Sequence, residues 1–342
     1  MIWPGAITTI YRIDMPGKKV ILFGDYHKGD IENTPYTVET VAHAQKEVFQ
    51  KFFASLIPIK NAICMQVEAN ETFCDQLRDY QLSTSLPLIF DYPPSFFDYF
   101  LNLAVYDAPC AYVDGLINFD NRTYDDHAVF FLINKFDEFL DTYFSNGCKR
   151  EFFEDSLEEF FNSKDYKIFE QIFEKWLATI ENRLAAKVNF ISSHVSTSIF
   201  ECIHELLTKC SGYLNKIKTI NHMAHHMEKT FCQLLFDIAY QASNSLAPAE
   251  TFELPTTLSQ MMYCYNFMAD LNLLNNIMTD THPIVFVHCG HSHADALVEI
   301  LKQEPQIKIQ TLSMTDDRMI YDVHHCYSAL HNFIFSPNRG GV

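Results

Sequence analysis

Apolar residues follow two different rhythms along this chain. Over residues 1–124, and again after Pro283, they form short, largely apolar runs, most of them closed by a glycine or a polar residue. The runs are Lys19 to Phe23 before Gly24, Ala62 to Val67 before Glu68, Cys110 to Val113 before Asp114-Gly115, Ile284 to Val287 before His288, and Ile307 to Leu312. Runs of this length predict buried strands. Between them lie stretches with helical spacing: Val38 to Leu56 (Val41, Val48 and Phe52 on one face), Glu71 to Tyr80, Ser95 to Val105, and Ala294 to Lys302. Strand–helix alternation predicts an α/β fold with a mainly parallel central sheet.

Residues 125–280 keep the other rhythm. Glycine is nearly absent, and phenylalanine recurs at helical spacing: Phe130, Phe131, Phe136 and Phe139, then Phe152, Phe153, Phe160 and Phe161. This predicts long amphipathic helices. Leu254-Pro255 ends one helix before Ser259 to Met278 forms the next. The expected organisation is therefore an α/β core of residues 1–124 and 281–342, with a large α-helical insertion or cap at 125–280 between them. The aromatic stripes read as helix packing, not as a cofactor box.

Two of the strand ends share a pattern. Gly24-Asp25-Tyr26-His27 and Gly290-His291-Ser292-His293 are both Gly-x-x-His after an apolar run. Ligand sites of open α/β sheets lie beyond the C-terminal ends of the strands. At a strand end, residues i and i+2 point the same way, so Asp25 would stand beside His27, and His291 beside His293. Glu68 ends the second strand and Asp114 the third. A carboxylate beside an imidazole orients the ring and raises its basicity, and such a set can also hold a divalent metal. The chemistry this suits is general-base or metal-assisted hydrolysis. His288, inside its strand, reads as a core histidine. His222 and His226 are spaced i,i+4, but the glutamate of the zinc-protease motif is missing, so they read as a helix face.

Composition narrows the partners. The chain has 342 residues and a formal net charge of −18, with 25 basic against 43 acidic residues. No basic stripe is present, which argues against nucleic acid and anionic membrane surfaces. The ten cysteines form no Cys-x-x-Cys pair and mostly sit in apolar runs, as small buried hydrophobes of a reducing compartment do. No secretory leader is visible at Met1–Gly5, and no apolar run reaches the ~20 residues of a membrane helix. The expectation is a soluble cytoplasmic protein without membrane insertion. Walker, Gly-x-Gly-x-x-Gly and Gly-x-Ser-x-Gly motifs are absent, which removes the usual nucleotide and serine-hydrolase signatures.

The two Gly-x-x-His motifs, with Glu68 after the intervening strand, resemble the erythromycin esterase / ChaN-like / TraB–TIKI superfamily. The resemblance spans roughly residues 18–120 and 280–315, with a variable helical insertion between. It departs at Asp25, where the esterase and ChaN-like branches carry the longer glutamate. It implies a hydrolase of small-molecule or peptide substrates, with Asp25, His27, Glu68 and His293 as catalytic groups. It also implies a metal set of Asp25, His27, Glu68, His291, His293 and Asp114 for Mn, Co, Zn or Fe. The ChaN-like branch implies haem as an alternative ligand. A second family, the calcineurin-like metallophosphoesterases, shares Asp-x-His and Gly-His-x-His. It also needs Gly-Asp-x-x-Asp/Glu and Gly-Asn-His, and Asn221-His222 lacks the glycine. A third class is a non-catalytic interaction protein that presents its Phe-rich helical region to a protein partner.

Overall fold

The computed structural model describes residues 6–26, 35–56, 59, 62–67, 116–118, 126, 128–130, 133–134, 136, 161–162, 164–244 and 254–336. The chain divides into two compact units, residues 1–120 with 272–342, and residues 121–271. The sequence-based limits for the insertion were 125 and 280.

The first unit is α/β. Its six-stranded sheet has the order β4-β3-β5-β2-β1-β6. The strands are β1 (Ala6–Met15), β2 (Lys18–Tyr26), β3 (Ile63–Val67), β4 (Leu116–Asn118), β5 (Ile284–Gly290) and β6 (Lys308–Ser313). Strands β4, β3, β5 and β2 are mutually parallel, whereas β1 is antiparallel to both β2 and β6. The mainly parallel sheet thus includes one reversed strand. β1 enters by a hairpin whose turn is Pro16-Gly17, with Gly17 at φ +75°. Proline followed by a positive-φ glycine is type II turn chemistry.

Strand β1 has no counterpart in the sequence-based reading. Its polar residues Thr8 and Arg12 are buried and hide its apolar rhythm. Arg12 is tolerated inside because each of its three guanidinium nitrogens donates a hydrogen bond. Its Nε and Nη2 donate to Asp14, and its Nη1 donates to the carbonyl oxygens of Phe333 and Ser336.

Helix α1 (Val38–Leu56) covers one face of the sheet together with α8 (Val323–Phe335). Phe23 and Phe286 meet edge to face with ring centroids 5.7 Å apart, and Phe49 packs on Phe23 at 6.3 Å. Val48, Phe52, Leu330 and Ile334 complete this core. Burial contributes about 1.5–3 kcal/mol per large side chain of this kind. Helix α6 (His291–Leu301) packs against Gly24, on the opposite face. The short α7 (Asp317–Tyr321) precedes α8.

The second unit is helical. It holds α2 (Lys164–Ile191), α3 (Thr197–His226), α4 (Phe231–Asn244) and α5 (Leu254–Thr279) as far as Leu271. Pro255 sits in the first turn of α5, where its missing N–H costs nothing, so it begins this helix. Phe173 packs on Phe231 at 4.7 Å, and Arg183 forks onto the buried Asp126 at 2.8 and 2.6 Å. Helix α5 departs from the amphipathic expectation. Met261, Cys264, Phe267, Met268, Ala269 and Leu271 are all buried, so several of its faces are covered.

Among the described residues, no helix is long and apolar enough to cross a membrane. The predicted helices at 71–80 and 95–105 and the predicted strand at 110–113 lie outside the described residues. The third parallel strand that is described, β4, begins after Gly115. Asp114 therefore precedes this strand in the chain.

Candidate functional site

The two Gly-x-x-His motifs end neighbouring parallel strands. Phe23 lies opposite His288, Gly24 opposite Cys289, and Asp25 opposite Gly290. Gly290 leaves open the space beside Asp25. His288, the previous residue of β5 on that face, turns toward it, and its Nε2 lies 3.0 Å from Asp25 Oδ2. Both side chains are buried, 3% exposed for Asp25 and 11% for His288. A carboxylate this deep needs a partner, and the imidazole is one. The reading of His288 as a core histidine is therefore incomplete. It is buried, and it is also the ring that Asp25 meets.

Side-chain alternation puts this pair on the face of Phe23 and Phe286, under α1 and α8. Gly24 faces the other way. A Cβ there would stand 3.2 Å from His291 Nδ1 and 3.4 Å from Ala294 Cβ. The glycine is thus what lets the first turn of α6 approach the sheet. On the same face His291 Nε2 lies 3.3 Å from Asp295 Oδ2, and the Tyr11 hydroxyl donates to Asp295 Oδ1 at 2.6 Å. Burial, and then the Asp295 hydrogen bond, raises the Tyr11 pKa well above the usual phenol value. The phenol keeps its proton and fixes the carboxylate that fixes the ring.

One expectation is corrected by this geometry. His291 and His293 do not extend a strand, because α6 starts at His291 directly after Gly290. On a helix, residues i and i+2 stand about 200° apart, so these two rings cannot point the same way. His291 lies over Gly24, and His293 is separately buried at 5% exposure. The rim therefore carries two carboxylate–imidazole pairs on opposite faces of β2.

His27, Glu68 and Asp114 lie outside the described residues. β3 is described as far as Val67, level with His288. The described part of the expected metal set is Asp25, His291 and His293, and it does not form a ligand shell. Among the described residues, a single trio of His, Cys, Asp or Glu brings its ligand atoms within 4.8 Å of one another: Cys64, Asp280 and His282. That trio lies at the other end of the strands. Asp295, Tyr11 and His288 were not singled out from sequence as site groups. Asp295 lay on the helix predicted from Ala294, but His291 stood before that predicted start, so their i,i+4 relation emerges only with the helix that begins at His291. Tyr11 had no signal, because its strand was not recognised.

The chain matches no protein-family model, no curated protein and no solved structure.

Proposed function

We propose that the protein is a hydrolase of the erythromycin esterase / ChaN-like / TIKI type, acting on a small-molecule or peptide substrate at the C-terminal rim of the sheet. The observation that carries this reading is the register of the two Gly-x-x-His strands, which makes Asp25 the cross-strand neighbour of Gly290 and sets it against His288. In this mechanism an imidazole at the strand ends takes a proton from water as that water attacks the scissile carbonyl. His27 is the proposed base, two residues beyond Asp25 in the chain. Asp25 and His288 form a buried pair at the rim, and Glu68 and His293 complete the proposed set. The Tyr11–Asp295–His291 chain holds the neighbouring face in place. General-base catalysis of this kind contributes about 10²–10⁴-fold.

The test is hydrolysis of ester and peptide panels by the intact chain and by Asp25→Asn, His27→Ala and His293→Ala. Turnover that falls at least about 100-fold in each variant, with the melting temperature kept, supports the assignment. Full activity in His27→Ala, or no turnover of either substrate class by the wild type, overturns it.

A further inference from the structure

At the N-terminal end of the parallel strands, three metal-ligating side chains of different chemistry converge. Cys64 is the second residue of β3, opposite Val285 of β5, and is buried. Asp280 and His282 lie in the link between α5 and β5. That link is folded on itself: Asp280 Oδ1 accepts from the His282 backbone N–H at 2.7 Å and lies 2.9 Å from His282 Nδ1. The Asp280 side chain is 4% exposed and that of His282 38%, so the cluster is closed on the protein side and open at the histidine. The Sγ, carboxylate oxygen and ring nitrogen lie within 4.8 Å of one another.

Two further features single out this cluster. Gln66, two residues along β3 on the same face as Cys64, is completely buried with its amide beside the Cys64 sulfur. Neither atom of that amide has a hydrogen bond of ordinary geometry among the described residues. A polar group so placed matches a ligand held next to the thiol. The second feature is Lys18, a cation whose charge acts on Cys64. Its Nζ donates to the carbonyl oxygens of Ile277 (2.6 Å) and Asp280. The ammonium is thus turned onto the backbone and holds the link in place.

We propose that Cys64, Asp280 and His282 form a binding site for a thiophilic divalent cation of the zinc class. One sulfur, one oxygen and one nitrogen donor is a zinc-type set, and three protein ligands leave a fourth position for water or another small ligand. Tetrahedral zinc with bonds of about 2.0–2.3 Å needs ligand atoms about 3.3–3.8 Å apart, so the Asp280–His282 pair at 2.9 Å must open slightly within a set that spans at most 4.8 Å. Cys64 binds as the thiolate, its proton leaving to bulk water. The site is separate from the rim and does not depend on the hydrolase reading.

The test uses the full chain, purified from zinc-supplemented culture, analysed for metal and then reloaded with cobalt(II). The expected result is about one zinc per chain and a thiolate-to-cobalt charge-transfer band in the near ultraviolet. Cys64→Ser should abolish the band. His282→Asn, at a half-exposed position that does not threaten folding, should weaken cobalt affinity by about 10-fold or more. Asp25→Asn should keep both band and metal, which separates this site from the rim. Cobalt saturation of folded wild-type protein without the band overturns the proposal. So does a band of unchanged strength in Cys64→Ser, or unchanged cobalt affinity in His282→Asn.

Discussion

At the C-terminal ends of β2 and β5, Asp25 and Asp295 each meet a separate imidazole, on opposite faces of the sheet. At the N-terminal ends, Cys64, Asp280 and His282 crowd one point. The residue types overlap, and the backbone makes the difference. The rim is built where a strand passes straight into a helix, so successive polar residues rotate away from each other. The other end is built on a folded link, where Asp280 and His282 are pinned by a hydrogen bond between them. Pairs suit proton transfer, because each acid fixes one ring. A convergent trio suits a cation, because several donors share one centre.

The sharpest way to break this comparison is to substitute each end and measure hydrolysis. His288→Asn or Asp25→Asn should lower turnover by about 10²–10⁴-fold. Cys64→Ser, at the opposite end of the strands, should leave turnover of the folded protein within about two-fold, because distant sites without shared partners act independently. Equal losses at both ends would show that the two do not have separate roles.

The next effect is on stability and concerns the strand that joins the two faces. Arg12 is 4% exposed, and its guanidinium is used by Asp14 and two carbonyl oxygens near the end of α8. Arg12→Met fills the space but leaves those acceptors unmet. The expected loss is about 3 kcal/mol in chemical denaturation. A loss under about 0.5 kcal/mol would mean that the buried network adds nothing. Arg12 also shows why β1 was not legible in the sequence. Strands are read from apolar runs, and a buried arginine held by hydrogen bonds looks like a loop residue. By contrast β3 and β6 could be placed to within about a residue, whereas β2 and β5 start where expected but run three residues further, to Tyr26 and Gly290. Helix α1 was legible from Val41, Val48 and Phe52, all of which are buried.

The rim was legible only in part. Sequence could mark Gly290 as the place where a strand ends, and Asp25 as an acid needing a partner, but β2 runs on through Gly24 to Tyr26. It could not say that α6 begins with no intervening loop, which rotates His293 away from His291. Nor could it pair Asp25 with His288, since that contact depends on strand register between distant segments. The Cys64 cluster was illegible for the same reason, because its members come from β3 and from the entry to β5.

Gly24→Ala tests the close approach of α6 and comes next in size. The added methyl meets His291 Nδ1 at 3.2 Å, so the ring or the helix must shift by a few tenths of an ångström. The expected cost is about 1 kcal/mol, with a fall in turnover smaller than for Asp25→Asn. A neutral substitution would mean that the His291 position is adaptable and that the rim does not depend on it.

The smallest effect concerns pH and an ordinary helix cap. Asp322 caps α8, its carboxylate accepting from the His325 backbone N–H at 2.9 Å. That hydrogen bond is the main reason the Asp322 pKa lies below its ordinary value. A depressed carboxylate pKa means that the folded state binds the proton less readily than the unfolded chain does. The contribution to stability is therefore complete above about pH 4, the ordinary aspartate value, and is lost as pH falls through the folded value. Asp322→Asn keeps a capping acceptor without a charge to titrate, so this part of the acid loss should vanish while neutral-pH stability changes little. Thermal melts between pH 2 and pH 7 of wild type and Asp322→Asn measure it. An acid loss that persists unchanged in Asp322→Asn would show that the α8 cap does not supply it.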